Sequence, residues 1–154
     1  MCNNRSFRFQ CSWRLRLPGF FPAEHKSFDH HPGDVFADLE QGKYGLMRIL
    51  TVDRVDIAEG EPITIAGQSF TASVDDYLLI IGCALGAPEY QSVEDARQAL
   101  SQGRWMPGID HAPMRATCVT RAQVFVLNVP VREDELRGCH EWCSQFAAGA
   151  AAVF

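Results

Sequence analysis

The segment GDVFADLEQGKYGLMRIL, residues 33–50, constrains the fold more than any other stretch of this chain. Val35, Ala37 and Leu39 alternate with Asp34, Phe36 and Asp38, the period-two pattern of a strand with one face turned inward. Gln41-Gly42-Lys43 reads as a turn, because glycine takes positive φ without a side-chain clash. Residues 44–52 form a second strand, with Arg48 its only charge before Asp53. The two make a hairpin, and residues 53–57 either extend it or begin a further strand.

The rest of the chain supplies elements around it. Residues 7–17, FRFQCSWRLRL, alternate without a break and predict a half-buried strand. Residues 18–32, with three prolines, form a connector. Ile63 to Ile65 and Phe70 to Val74, separated by Gly67, suggest a shorter hairpin. The longest apolar run, YLLIIGCAL at 77–85, is too short to span a bilayer and predicts a central strand buried on both faces. Ser92 is placed to cap a helix whose acidic start, Glu94 and Asp95, suits the helix dipole, and Gly103 ends it. Residues 103–113 read as a loop and 118–129 as a strand densest at 124–129. A second helix begins near Arg132, with Leu136, Cys139, Cys143, Phe146 and Ala150 on one face.

These elements predict a single domain spanning 1–154, with an N-terminal strand and connector at 1–32 and the main body at 33–154. The expected class is α+β: a strongly bent antiparallel sheet of five to seven strands, part of it curling toward a small barrel, with two packed helices. Residues 35–39, 44–52, 77–83 and 123–129 are the expected core. At 47% hydrophobic and 21% charged, 154 residues suffice for a core without disulfides or metal. Arg8, Arg14 and Arg16 interrupt every apolar stretch near the N-terminus, so no secretory signal is read there and a cytoplasmic location is expected. The six cysteines are then expected as reduced thiols, with Cys83 and Cys118 as small core residues.

Charge is unevenly spread. Residues 1–31 hold five Arg/Lys against two Asp/Glu, whereas 32–154 hold nine against seventeen. An acidic body disfavours nonspecific nucleic-acid binding and suits a basic partner, although the same charge also serves solubility.

The constellations with chemical potential are few. Cys139 and Cys143, four apart on a helix, present two thiols that begin a zinc site or simply pack in the core. His25, His30 and His31 lie close in the connector without a confident fourth ligand. Asp110-His111 pairs a carboxylate with an imidazole, but no nucleophile is evident beside it. Asp75-Asp76 reads as a strand-start cap or a contact for a basic group. No phosphate-binding glycine loop, nucleophile elbow or zinc-protease motif occurs. No catalytic residue, cofactor or metal ligand is therefore assigned.

Gly33-Asp34-Val35-Phe36, Tyr44-Gly45 and Arg48-Ile49-Leu50 together resemble the opening of the immunity protein 26 family of bacterial polymorphic toxin systems. The resemblance is specific over these residues. It implies a protein with no reaction of its own that binds a cognate toxin stoichiometrically. The partner-contact candidates are Asp34, Asp38, Asp75, Asp76 and Trp105. Two other readings stand beside it. One is a small metal-binding or enzymatic domain using Cys139, Cys143 and histidines. The other is a β-barrel nucleic-acid module using Arg8, Arg14 and Arg16.

Overall fold

The structure, a computed structural model, describes residues 20–119, 123–151 and 153–154. The alternating segment 7–17, with Arg8, Arg14 and Arg16, lies outside the described residues. The chain folds as α+β, with seven strands and three α-helices among the described residues.

The hairpin forms as the sequence predicts. Strand β1 (Asp34–Glu40) pairs antiparallel with β2 (Lys43–Ile57), and Glu40 opposite Lys43 leaves a two-residue turn. Gln41 and Gly42 take φ of 52° and 82°, the double positive that matches a turn to the twist of its strands. Residues 53–57 extend β2 rather than start a new strand. A register shift between Ile49 and Thr51 is what lets so long a strand bend. A second hairpin, β3 (Pro62–Ile65) and β4 (Gln68–Thr71), turns through Ala66 and Gly67, again both at positive φ.

Strand β5 (Asp76–Leu85) pairs with β2 on one side and with β6 (Ile109–Arg115) on the other. Strand β7 (Val124–Asn128) pairs with β1. The main sheet therefore runs β6-β5-β2-β1-β7, all antiparallel. It is open: β6 and β7 are its edges, and it does not close into a barrel.

Three short helices complete the fold. Helix α1 (Val93–Ser101) starts where Ser92 Oγ accepts the Asp95 N–H at 3.1 Å, and Gly103 follows its end at φ 64°. Helix α2 (Ala116–Val119) is one turn. A 3-10 turn at Glu133–Leu136 leads into α3 (Arg137–Ala147).

Both faces of the sheet are covered. On one, Val35, Ala37, Leu46 and Val126 pack with Ala96 of α1. Leu50 and Ala84 pack with Cys139 of α3, and Leu78 and Ile80 with Trp142. On the other, Phe36, Ile49, Ile81, Cys83 and Met114 pack with Ala116 and Val119 of α2, and Phe28 lies against them.

Phe36 is buried with Val35 and Ala37, as expected of the core at 35–39, and it is buried on the opposite face because the connector and α2 cover that side too. Other expectations are corrected. Asp38 and Leu39 are exposed rather than core, since β1 extends past the covering elements. Residues 103–113 are not all loop. Strand β6 carries Asp110, His111 and Pro113, which hide its alternation, and proline is tolerated because β6 is an edge. Cys118 lies in α2, not a strand. Ala116 and Val119 are three apart, the spacing that brings both to one side of a helical turn. In β7 only Val126 is buried, packed against α1, while Val124 and Phe125 at the start of this edge strand are exposed. In α3, Cys139 and Trp142 face the core while Cys143 is exposed, so the two thiols do not share a buried face.

Candidate partner-binding surface

The five candidate contact residues fall into two kinds. Three already have structural work. Asp34 accepts from Asn128 Nδ2 and from the His31 N–H, both at 2.9 Å, which pins β1 to the end of β7. Asp76 accepts from the Phe21 N–H at 2.7 Å and the Tyr77 N–H at 2.8 Å, and meets Lys26 Nζ at 2.6 Å, with its side chain only 4% exposed. Trp105 is half-buried, its indole so close over Gly86 that an added methyl there would lie 2.5 Å from Nε1. The other two carboxylates are exposed: Asp75 also has a structural contact, accepting the Glu59 N–H at 2.8 Å, and Asp38 stands on the uncovered end of β1 next but one to Glu40.

Arg48 was the surprise of the hairpin. It is 6% exposed, and its guanidinium grips Glu135 through Nη1 at 2.6 Å and Nη2 at 3.1 Å. Nη2 also donates to the Pro130 carbonyl at 2.6 Å, and Nε and Nη2 both reach the Val129 carbonyl. Burial by itself would raise the Glu135 carboxyl, but hydrogen bonds from Arg48 and the Arg132 N–H outweigh it and hold the group below its usual range. Arg48 thus ties the hairpin to the segment entering α3. Its isolation in an apolar strand was the only sequence sign of this.

A polar cluster sits beneath α3. Gly82 faces Thr51 Oγ1, His111 Nε2 and Cys139 Sγ, which lie 2.5, 2.9 and 3.2 Å from where a Cβ would stand. Thr51 donates to the Cys139 sulfur at 3.9 Å. Burial raises the thiols of Cys139 and Cys143, and nearby Asp53 adds to the effect, so both are held as neutral thiols. Nucleophilic attack needs the thiolate, and Cys139 is 2% exposed, so in this structure its thiol serves packing. His111 and the exposed Asp110 are neighbours on a strand and do not form a dyad. Among the described residues no group of three or more His, Cys, Asp or Glu side chains is arranged to hold a metal ion.

Burial also lowers His111 below 6.5, against the pull of Asp53, and lowers His25 with help from Arg115. The fold prefers these imidazoles neutral. Their contribution is complete above pH 6.5 and declines as pH falls below it toward their folded values. For Asp76, burial opposes ionisation, but the Lys26, Phe21 and Tyr77 donors win and lower it below 3.8. Its contribution is present above that value and is lost as pH falls through the folded one. Denaturation midpoints measured across the acid range should therefore fall in two stages, and Asp76→Asn should flatten the lower stage only. A wild-type midpoint constant from pH 7 to 3 would contradict this.

A concavity of about 710 Å³ is an open cleft between the start of β5 and the end of β2. Its floor is Tyr77, whose ring has Arg54 at 3.9 Å and Lys26 at 5.5 Å. Arg54 pairs with Asp56 at 2.8 Å and Lys26 with Asp76, so the cleft's cations are already matched by its own carboxylates.

The edge strand β7 has a different character. Val124 is 48% and Phe125 52% exposed, and Leu39 beside them on β1 is 57% exposed. Phe125 stacks edge-on against Phe36, with ring centroids 5.8 Å apart, which holds it in place on the surface. The sequence reading missed this surface because VFVLN looks like core. No helix among the described residues is long and apolar enough to cross a membrane. Comparison of the chain with protein-family models, with curated proteins and with solved structures yields no match.

Proposed function

We propose that this chain is an immunity protein: a cytoplasmic, stoichiometric inhibitor that binds and neutralises a cognate bacterial toxin domain, with no reaction of its own. The observation that carries the reading is the hairpin at residues 33–50, whose Gly-Asp-Val-Phe, Tyr-Gly and Arg-Ile-Leu groups resemble the opening of the immunity protein 26 family. Each group has a place in the fold. Gly33 makes the entry turn, Val35 and Phe36 bury on opposite faces, Gly45 passes close under the Gly86 carbonyl, and Arg48 forms the buried fork. The resemblance therefore rests on residues that the fold uses, and it is the resemblance that supports the functional reading.

Two properties support a binding role. The body from residue 32 onward carries a surplus of acidic residues, which speeds encounter with a basic partner. The sheet also ends in an exposed apolar edge. Inhibition by an immunity protein requires only a complementary surface that covers or distorts the toxin's active site.

The test is co-expression in a bacterial host with the product of the adjacent gene. That product alone should arrest growth, this chain should restore it, and the two should co-elute as a one-to-one complex. A harmless neighbour, or toxicity that this chain does not relieve, defeats the proposal.

A further inference from the structure

The two edges of the sheet are finished differently. On β6, Pro113 removes a donor, and the chain's own Phe154 pairs along the strand: its carbonyl accepts from the Arg115 N–H at 2.8 Å and its N–H donates to the Pro113 carbonyl at 2.9 Å. On β7, among the described residues, no strand lies outside it. The strand VFVLN carries neither proline nor charge, the devices that ordinarily keep an edge from pairing. A register shift interrupts its pairing with β1 between Val35 and Phe36, and Arg97 Nε reaches the Val126 carbonyl at 3.4 Å. Arg97 thus occupies the outer side at Val126, and among the described residues Val124 and Phe125 are the open end.

Acidic groups surround that open end. Asp38 and Glu40 lie on β1, just past Ala37, which pairs with Val124. The Arg97 contact brings the acidic first turn of α1 alongside, where Glu94 meets Arg97 at 2.6 Å. Asp38 is held above its usual carboxylate range by partial burial and by the Glu40 charge, so a cation arriving there would relieve a repulsion.

Resting on the binding role above, we propose that the open end of β7 is the docking edge, and that its occupant is an extended basic segment of the partner protein. That segment adds to the sheet as a sixth strand. Main-chain hydrogen bonds supply much of the affinity, Phe125, Val124 and Leu39 receive its apolar side chains, and Asp38, Glu40 and Glu94 receive its Lys or Arg. A second copy of this chain fits less well, since it would bring its own carboxylates against these.

The experiment titrates the full-length chain against the purified product of the adjacent gene, catalytically disabled, at low and moderate salt. Phe125→Lys places a charge at the edge and should weaken binding about 100-fold, as loss of a central aromatic anchor does. The double variant Asp38→Lys/Glu40→Lys changes only exposed side chains. It should weaken binding about tenfold and reduce the salt dependence. Both variants should keep the wild-type denaturation midpoint, and amide exchange at 124–128 should slow in the wild-type complex. Wild-type affinity in the double variant, or unslowed exchange across β7, overturns the docking edge while the binding role stands. Absence of any wild-type binding overturns both. A free chain that is dimeric until Phe125→Lys splits it assigns the edge to self-association and also overturns the proposal.

Discussion

Replacing Arg48 by methionine should destabilise the protein by about 3 kcal/mol, between the cost of breaking a surface pair and that of breaking a fully buried one, because Arg48 is buried and Glu135 is partly exposed. The fork of Arg48 satisfies both oxygens of Glu135 and the carbonyls of Val129 and Pro130 at once. Methionine fills much of the volume but takes the guanidinium donor from Glu135 Oε1 and from the Val129 and Pro130 carbonyls, while Glu135 Oε2 keeps the Arg132 N–H. Lysine should also fail, because a single ammonium lacks the planar fork that reaches Glu135 and the carbonyls together. Pairing Arg48→Met with Glu135→Leu should recover part of the loss, since no charge is then left unpaired. Urea denaturation of the three variants gives the comparison. A loss below about 1 kcal/mol for Arg48→Met, the level of a surface pair, would show the fork to be energetically idle.

Gly33→Ala should be comparably damaging, costing about 3 kcal/mol, the upper end of the range for a residue forced into a strained backbone state. Gly33 has φ of 95°, and an added Cβ would stand 2.7 Å from the Val129 carbonyl oxygen. That oxygen belongs to backbone and cannot swing aside. Gly33 also donates to the Ile49 carbonyl at 2.7 Å and accepts from the Val129 N–H at 2.8 Å, so any shift breaks the β2 and β7 sides together. Gly42→Ala offers the control, since it shares a positive φ of 82° but meets nothing within 4 Å. Its cost should be confined to the backbone penalty of about 1–2 kcal/mol. Equal midpoints for the two alanine variants would remove the steric part of the argument.

What the sequence made legible was local. The hairpin at residues 33–50, positive φ at Gly42, the shorter hairpin around Gly67 and the Ser92 cap each depend on a few neighbouring residues, and each appears where expected. What it hid depends on contacts from far along the chain. Nothing around Phe36 announces that Phe28 and α2 will be what covers its face. Strand β6 was hidden because edge strands tolerate the Asp, His and Pro that suppress a strand pattern. The partners of the candidate carboxylates were equally distant: Asp34 meets Asn128, and Asp76, read as a strand-start cap or a contact for a basic group, meets Lys26. Val124 and Phe125 looked buried and stand on the surface.

The position of β1 between β2 and β7 sets an order for folding. One neighbour follows it after a two-residue turn, whereas on the other side Asp34 and Asn128 meet across 94 residues of sequence. Closing the short loop is fast, and closing the long one waits on the strands and helices between. The hairpin therefore forms early and spends the slow phase with Val35, Phe36 and Ala37 open along their outer side. During that interval the nascent protein is most exposed to mispairing with its neighbours. Arg48 lies on the far strand of the same hairpin, and it meets Val129 and Glu135 only when the late segment arrives. Its capture is a latch that closes at the end of the reaction and should slow unfolding more than it speeds folding.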